Sequence, residues 1–113
     1  MSEQTAVILS AATDSGWAPT GGVGERAEYA VVSVTSPTGF TANTGTIEWS
    51  FDGTTAVAAT DCLGTALTFT LGANKMTMLK PSEWCSVAPF YRLKLTNAAG
   101  ADSSFRINFR CVE

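Results

Sequence analysis

The sequence predicts an all-β fold, a single antiparallel β-sandwich of about eight short strands, jelly-roll-like or immunoglobulin-like. Three observations predict it. Apolar and polar residues alternate with period two in short runs. Turn residues separate those runs at roughly ten-residue spacing. No segment holds a helical period over a dozen residues.

Taken in order, residues 5–9 (TAVIL) form a short strand. Residues 10–25 (SAATDSGWAPTGGVGE) follow as a long Gly/Pro/Ser/Thr connection holding one aromatic, Trp17. Residues 1–113 thus read as one domain, with 1–25 an extended arm and long loop. Residues 27–35 (AEYAVVSVT) set Ala27, Tyr29 and Val31 against Glu28, Ala30 and Val32. A turn around Pro37 and Gly39 comes next. Residues 44–51 (TGTIEWSF) alternate most clearly, with Ile47, Trp49 and Phe51 inward and Glu48 and Ser50 outward. Asp52-Gly53 suits a type I′ turn, so 55–59 (TAVAA) should return as the partner strand.

Asp61 to Gly64 turns the chain again, and residues 65–71 (TALTFTL) set Leu67, Phe69 and Leu71 on one face. After Gly72-Ala73-Asn74, residues 75–79 carry Met76 and Met78 on one face. Pro81 to Glu83 suits one helical turn. Residues 90–96 (FYRLKLT) direct Tyr91, Leu93 and Leu95 inward and Arg92 and Lys94 outward. Residues 104–111 (SFRINFRC) place Phe105, Ile107, Phe109 and Cys111 inward and Arg106, Asn108 and Arg110 outward.

Composition narrows the function classes. Of 113 residues, 45% are hydrophobic and 15% charged, with a net charge of −3. The charged fraction is below the usual ~25%, which argues against disorder and coiled coil. Histidine is absent, so the commonest general base and metal ligand are both missing. The three cysteines, Cys62, Cys85 and Cys111, are widely spaced and include no CxxC pair. They read as reduced, partly buried thiols, with one disulfide between two of the three as the alternative. The start of the chain lacks the features of a secretory signal, and no run approaches the ~20 apolar residues that cross a bilayer. Synthesis in the cytoplasm, with no membrane contact, is the expectation.

The charge is unevenly spread. Residues 1–61 carry seven acids and one base, −6 net, and residues 62–113 carry six bases and three acids, +3 net. Interleaving of strands from the two halves should mix these charges.

No motif announces catalysis. There is no GxSxG and no Walker glycine loop, and GGVG at 21–24 lacks a following GK[ST]. No cofactor, metal or catalytic set is expected. Asp52 and Asp61 sit singly in turns, unlike the clustered oxygens of calcium sites. The outward Arg92, Lys94, Arg106 and Arg110 would share one surface if the last two strands paired. On an acidic chain with inward aromatics, such a surface suits salt bridges or an acidic protein partner rather than nucleic acid. Trp49 reads as core and Trp84 as a plug at one end; Trp17 reads as packed on its own domain, on a neighbouring subunit or on a sugar, and is the one to test as an interface anchor. The candidate interface residues are therefore Trp17, Arg92, Lys94, Arg106 and Arg110.

Three stretches carry a resemblance: TIEWSFDGTTAVAATDCLGTALTFTL, NKMTMLKPSEWCSVAPFYRLKL and FRINFR. Together they resemble a family of small tailed-bacteriophage virion proteins. In that family a strand ends in SFDGT, an Asp-x-x-Gly turn follows, and a late strand alternates Arg or Lys with Leu. Many relatives carry a tryptophan after the DGTT turn, where this chain has Ala56. The resemblance implies a non-enzymatic structural protein at the surface of the virion. Its size implies a capsid decoration (cement) protein, oligomeric on the shell, with the major capsid protein or another virion protein as partner. A neck or tail location is the structural alternative. SFDG with a later Y-R-L also resembles carbohydrate-binding jelly rolls, which leaves a host-attachment module as the alternative from another class.

Overall fold

The computed structural model describes residues 2–20, 28–80, 82–86 and 88–112. The Gly-rich stretch 21–24, Pro81 and the Cys111 side chain lie outside the described residues. The described residues form ten strands in two antiparallel sheets: β1 (Ser2–Ile8), β2 (Ala18–Pro19), β3 (Glu28–Thr35), β4 (Asn43–Ser50), β5 (Val57–Ala58), β6 (Phe69–Leu71), β7 (Met76–Met78), β8 (Cys85–Ser86), β9 (Phe90–Leu95) and β10 (Ser103–Val112). The front sheet runs β1-β10-β3-β7, with β8 also pairing β3. The back sheet runs β2-β9-β4-β5, with β6 also pairing β4.

The order is nested. The first strand pairs the last, β2 pairs β9, β3 pairs β7 and β8, and β4 pairs β5 and β6. This is one long antiparallel ribbon rolled into two sheets, the jelly-roll arrangement of two Greek keys. The sequence leaves jelly roll and immunoglobulin order open, and this pairing selects the jelly roll.

Alternation supplies the core. Phe105, Ile107 and Phe109 of β10 face Ile47 and Trp49 of β4 and Tyr91, Leu93 and Leu95 of β9, all buried. Burying each contributes about 1.5–3 kcal/mol. Edge-to-face pairs lock the packing: Phe40 on Phe105 at 5.1 Å, Phe69 on Trp84 at 5.2 Å and Tyr91 on Phe109 at 4.9 Å. Trp49 and Trp84 are buried, as their positions suggest.

Four local readings are corrected. Residues 2–20 are not a free arm, because β1 pairs β10 along its length and Ala18–Pro19 pairs β9. Strict alternation fails in β3, where Val31 and Val34 are both buried. The ladder to β10 slips there: Phe109 opposes Val31 while Asn108 opposes Ser33, leaving Val32 as the extra residue. Such a bulge lets residues of odd and even number face one side. Phe51, read as inward, is 63% exposed. Asp52-Gly53 is not a type I′ turn, since Gly53 alone of the pair has positive φ (81°). The ladder resumes only at Val57, opposite Trp49.

At the β1/β2 side a polar clasp joins the sheets. The buried Tyr91 hydroxyl donates to Gln4 Oε1 at 2.9 Å, and Gln4 Nε2 donates to the Pro19 carbonyl at 3.0 Å. Desolvation pushes the Tyr91 phenol up to about 12. Raised above its unfolded value, this group adds stability that is complete below pH 10 and lost as pH climbs toward 12. Tyr91→Phe should cost about 1 kcal/mol by stranding Gln4 Oε1. It should also abolish the late phase in an ultraviolet phenol titration of the folded protein.

Candidate functional site

The five candidate residues divide between opposite faces of the sandwich. β9 lies in the back sheet and β10 in the front sheet, so the last two strands do not pair. The single basic surface that their pairing would create is therefore absent. Arg92 and Lys94 belong to the outer face of one sheet, and Arg106 and Arg110 to that of the other.

On the back sheet the cations are held from within. Glu48 stands directly opposite Arg92 in the β4–β9 ladder. Arg92 Nε and one terminal nitrogen both approach Glu48 Oε1 at 2.7 Å, and Asp14 lies 3.8 Å from the other nitrogen. The Trp17 ring covers the same guanidinium, 4.3 Å from ring centroid to Cζ. Trp17 therefore packs on its own domain. The segment carrying it runs beside β9: Leu95 N–H donates to the Thr13 carbonyl at 2.7 Å and Ser15 N–H to Leu93 at 3.0 Å. Lys94 Nζ donates to Thr13 Oγ1 at 3.2 Å. Within the connection read as a loop, residues 13–19 thus form an edge of the back sheet.

The front sheet differs. Its ladders align Thr5, Arg106, Thr35 and Met76 across one rung and Glu3, Asn108, Ser33 and Met78 across another, two rungs along on the same face. Arg106 approaches Glu3 only to 3.9 Å, with both side chains largely exposed. The ion pairs to Asp14, Glu48 and Glu3 each join a base of the later half to an acid of the earlier half. Interleaving mixes the two charge populations, as expected.

The turns close on their own carboxylates. Asp52 Oδ1 accepts from Thr54 and Thr55 N–H at 2.8 Å and from the Ser50 hydroxyl at 3.0 Å, while Thr55 Oγ1 donates to Oδ2. The backbone donors of Thr55 and Thr54, then the Ser50 and Thr55 hydroxyls, hold this carboxyl well below the usual carboxylate range. Asp61 Oδ1 likewise accepts from Leu63 and Thr65 N–H. Leu63 is thereby fixed at a tip, 87% exposed, next to the exposed Cys62. Both carboxylates serve their own loops, and among the described residues no three acidic or cysteine groups gather as a metal set.

Comparison with protein-family models, curated proteins and solved structures returns no match.

Two clefts open at the β3–β4 end. One, of about 410 Å³, lies between the β3–β4 and β9–β10 loops over Phe40 and Ala99. Small neutral residues line it, among them Gly39, Ala42, Ala98 and Gly100. The other, of about 370 Å³, lies beside Arg106. Ser36 borders it, and the buried Ser36 Oγ has no hydrogen-bond partner among the described residues.

Sequence reading names the cations but misses Glu48 and Asp14 as their partners. The ladder position of Glu48 is visible only once β4 and β9 are known to pair. Met76 and Met78 are placed on one face by alternation, yet nothing in the sequence says that this face is the outer one.

Two outcomes are expected. Asp52 has a lowered folded pKa, so it adds stability that is present above its unfolded value of 3.8 and fades as pH falls below it. Asp52→Asn, scanned for Tm from neutral to strongly acidic pH, should show a flatter acid limb than the parent. Ser36→Ala removes a buried hydroxyl that lacks a partner, and should raise Tm by about 4 °C or more in thermal melts.

Proposed function

We propose that this chain is a non-enzymatic structural protein of a tailed-bacteriophage particle. Specifically, it is a capsid decoration protein that sits on the outer face of the major capsid shell and stabilises it. The observation that carries this reading is a β-sandwich that presents large apolar side chains to solvent. Leu63, Met78 and Phe51 stand out from loops and strands that are internally tied. Exposed apolar groups of this kind serve association with other proteins.

The SFDGTT and DCLG turns that carry the resemblance to virion proteins support the same reading. Each is a loop closed by hydrogen bonds from its own backbone to its own aspartate. Jelly rolls recur in viral capsids and in lectins, which is an analogy of fold and carries less weight than the surface itself. The partners under this reading are the major capsid protein and neighbouring copies of the chain on the particle.

Purified protein should bind expanded shells that lack it, saturating at a fixed number of copies per shell subunit and raising the shells' disruption temperature. Shells that take up none of it overturn the proposal. A few copies per particle, counted by mass spectrometry, would move the protein to the neck or tail.

A further inference from the structure

The two outer faces of the sandwich offer different chemistry to a partner. Arg92 on the back sheet is already enclosed by Glu48, Asp14 and the Trp17 ring. Its charge and its planar surface are both occupied within the fold. Arg106 on the front sheet is 72% exposed at its side chain and has only a loose contact, 3.9 Å, with Glu3. A surface pair of that length contributes little and leaves the guanidinium free to exchange partners.

The register sets apolar groups beside it. Met76 shares the Arg106 rung through Thr35, and Met78 lies two rungs along, on the same face, through Ser33 and Asn108. Both methionines are exposed, at 59% and 70%. Arginine and methionine are the side chains most enriched in protein interfaces apart from the aromatics. Methionine also adapts its shape to what it meets. The 370 Å³ cleft beside Arg106 is lined by Thr35, Thr38, Asn74 and Ser104 as well as the arginine. These are hydroxyls, an amide and a guanidinium, with no carboxylate among the lining residues. The hydroxyls and the amide can donate to a carboxylate, and the guanidinium supplies the positive charge that favours one.

We infer that the outer face of the front sheet is the docking surface, and that its occupant is a protein presenting a carboxylate side chain next to an apolar one. The carboxylate enters the cleft and pairs with Arg106, while the apolar neighbour covers Met76 and Met78. Charge argues for this occupant. The whole chain is −3. On this face Arg106 is exposed and only loosely paired with Glu3, so a carboxylate on the partner can take the place of Glu3. The inference rests on the reading of the chain as a shell-bound protein, and adds the face used and the chemistry it meets.

The test compares equal charge changes on opposite faces. Arg106→Glu, Met78→Ser and Lys94→Glu are each checked for an unchanged fold by circular dichroism, then titrated against shells lacking the protein. Arg106→Glu and Met78→Ser should each weaken binding at least about tenfold. Lys94→Glu, on the opposite sheet, should stay within about twofold once its fold is shown to be unchanged, since a charge outside the contact alters mainly long-range attraction. Raising salt should weaken parent binding more than that of Arg106→Glu. Hydroxyl-radical footprinting of the bound parent should protect Met76 and Met78 from oxidation.

Loss of binding in Lys94→Glu with full binding in Arg106→Glu and Met78→Ser overturns the choice of face and leaves the shell-binding reading standing. Methionines that oxidise equally when bound overturn it in the same way. A parent that binds no shells overturns both. If sedimentation shows that the front-face changes abolish self-association and leave shell binding intact, the occupant is a second copy and the assignment fails.

Discussion

β10 is the strand on which the rest of the molecule depends. It lies between β1 and β3 and hydrogen-bonds to both. Its inward side chains, Phe105, Ile107 and Phe109, are fully buried and meet aromatics on two sides: Phe40 packs on Phe105 and Tyr91 on Phe109. Cores pack to near-crystalline density, so these three residues also fix the spacing between the sheets. The nested order follows from this placement, because once first and last strands pair, each inner pair closes inside the one before it.

Much of this architecture was legible in the chain. Tyr91/Leu93/Leu95 and Phe105/Ile107/Phe109 announce their faces by simple alternation, and both faces are the buried ones. What escaped is what depends on partners distant in sequence. β2 and β8 are two residues each, too short for any period to register. The bulge at Val32 exists because β10 and β3 differ by one residue in their ladder, which neither strand reveals alone. Phe51 reads as core because its neighbours alternate, but the Ser50–Asp52 hydrogen bond turns the chain outward first. The basic residues were visible one by one. Their division between two surfaces was not, because it is a property of strand order.

That division gives the two faces distinct characters from similar residues. The back sheet uses its charges to fasten an irregular edge segment, residues 13–19, across Arg92 and Lys94. The front sheet has a regular, fully laddered edge in β1 and no comparable need. Arg106 there makes only the loose contact with Glu3.

The self-closed turns have a thermodynamic consequence for assembly. Ordering a flexible backbone costs about 1–2 kcal/mol per residue, and a loop that orders only on contact charges that entropy against affinity. The Asp52 and Asp61 carboxylates have already imposed this order during folding, through hydrogen bonds to Thr54, Thr55, Leu63 and Thr65. Whatever meets the Leu63 tip meets a shape that is already set, and nearly all the contact energy gained there goes into holding the complex together.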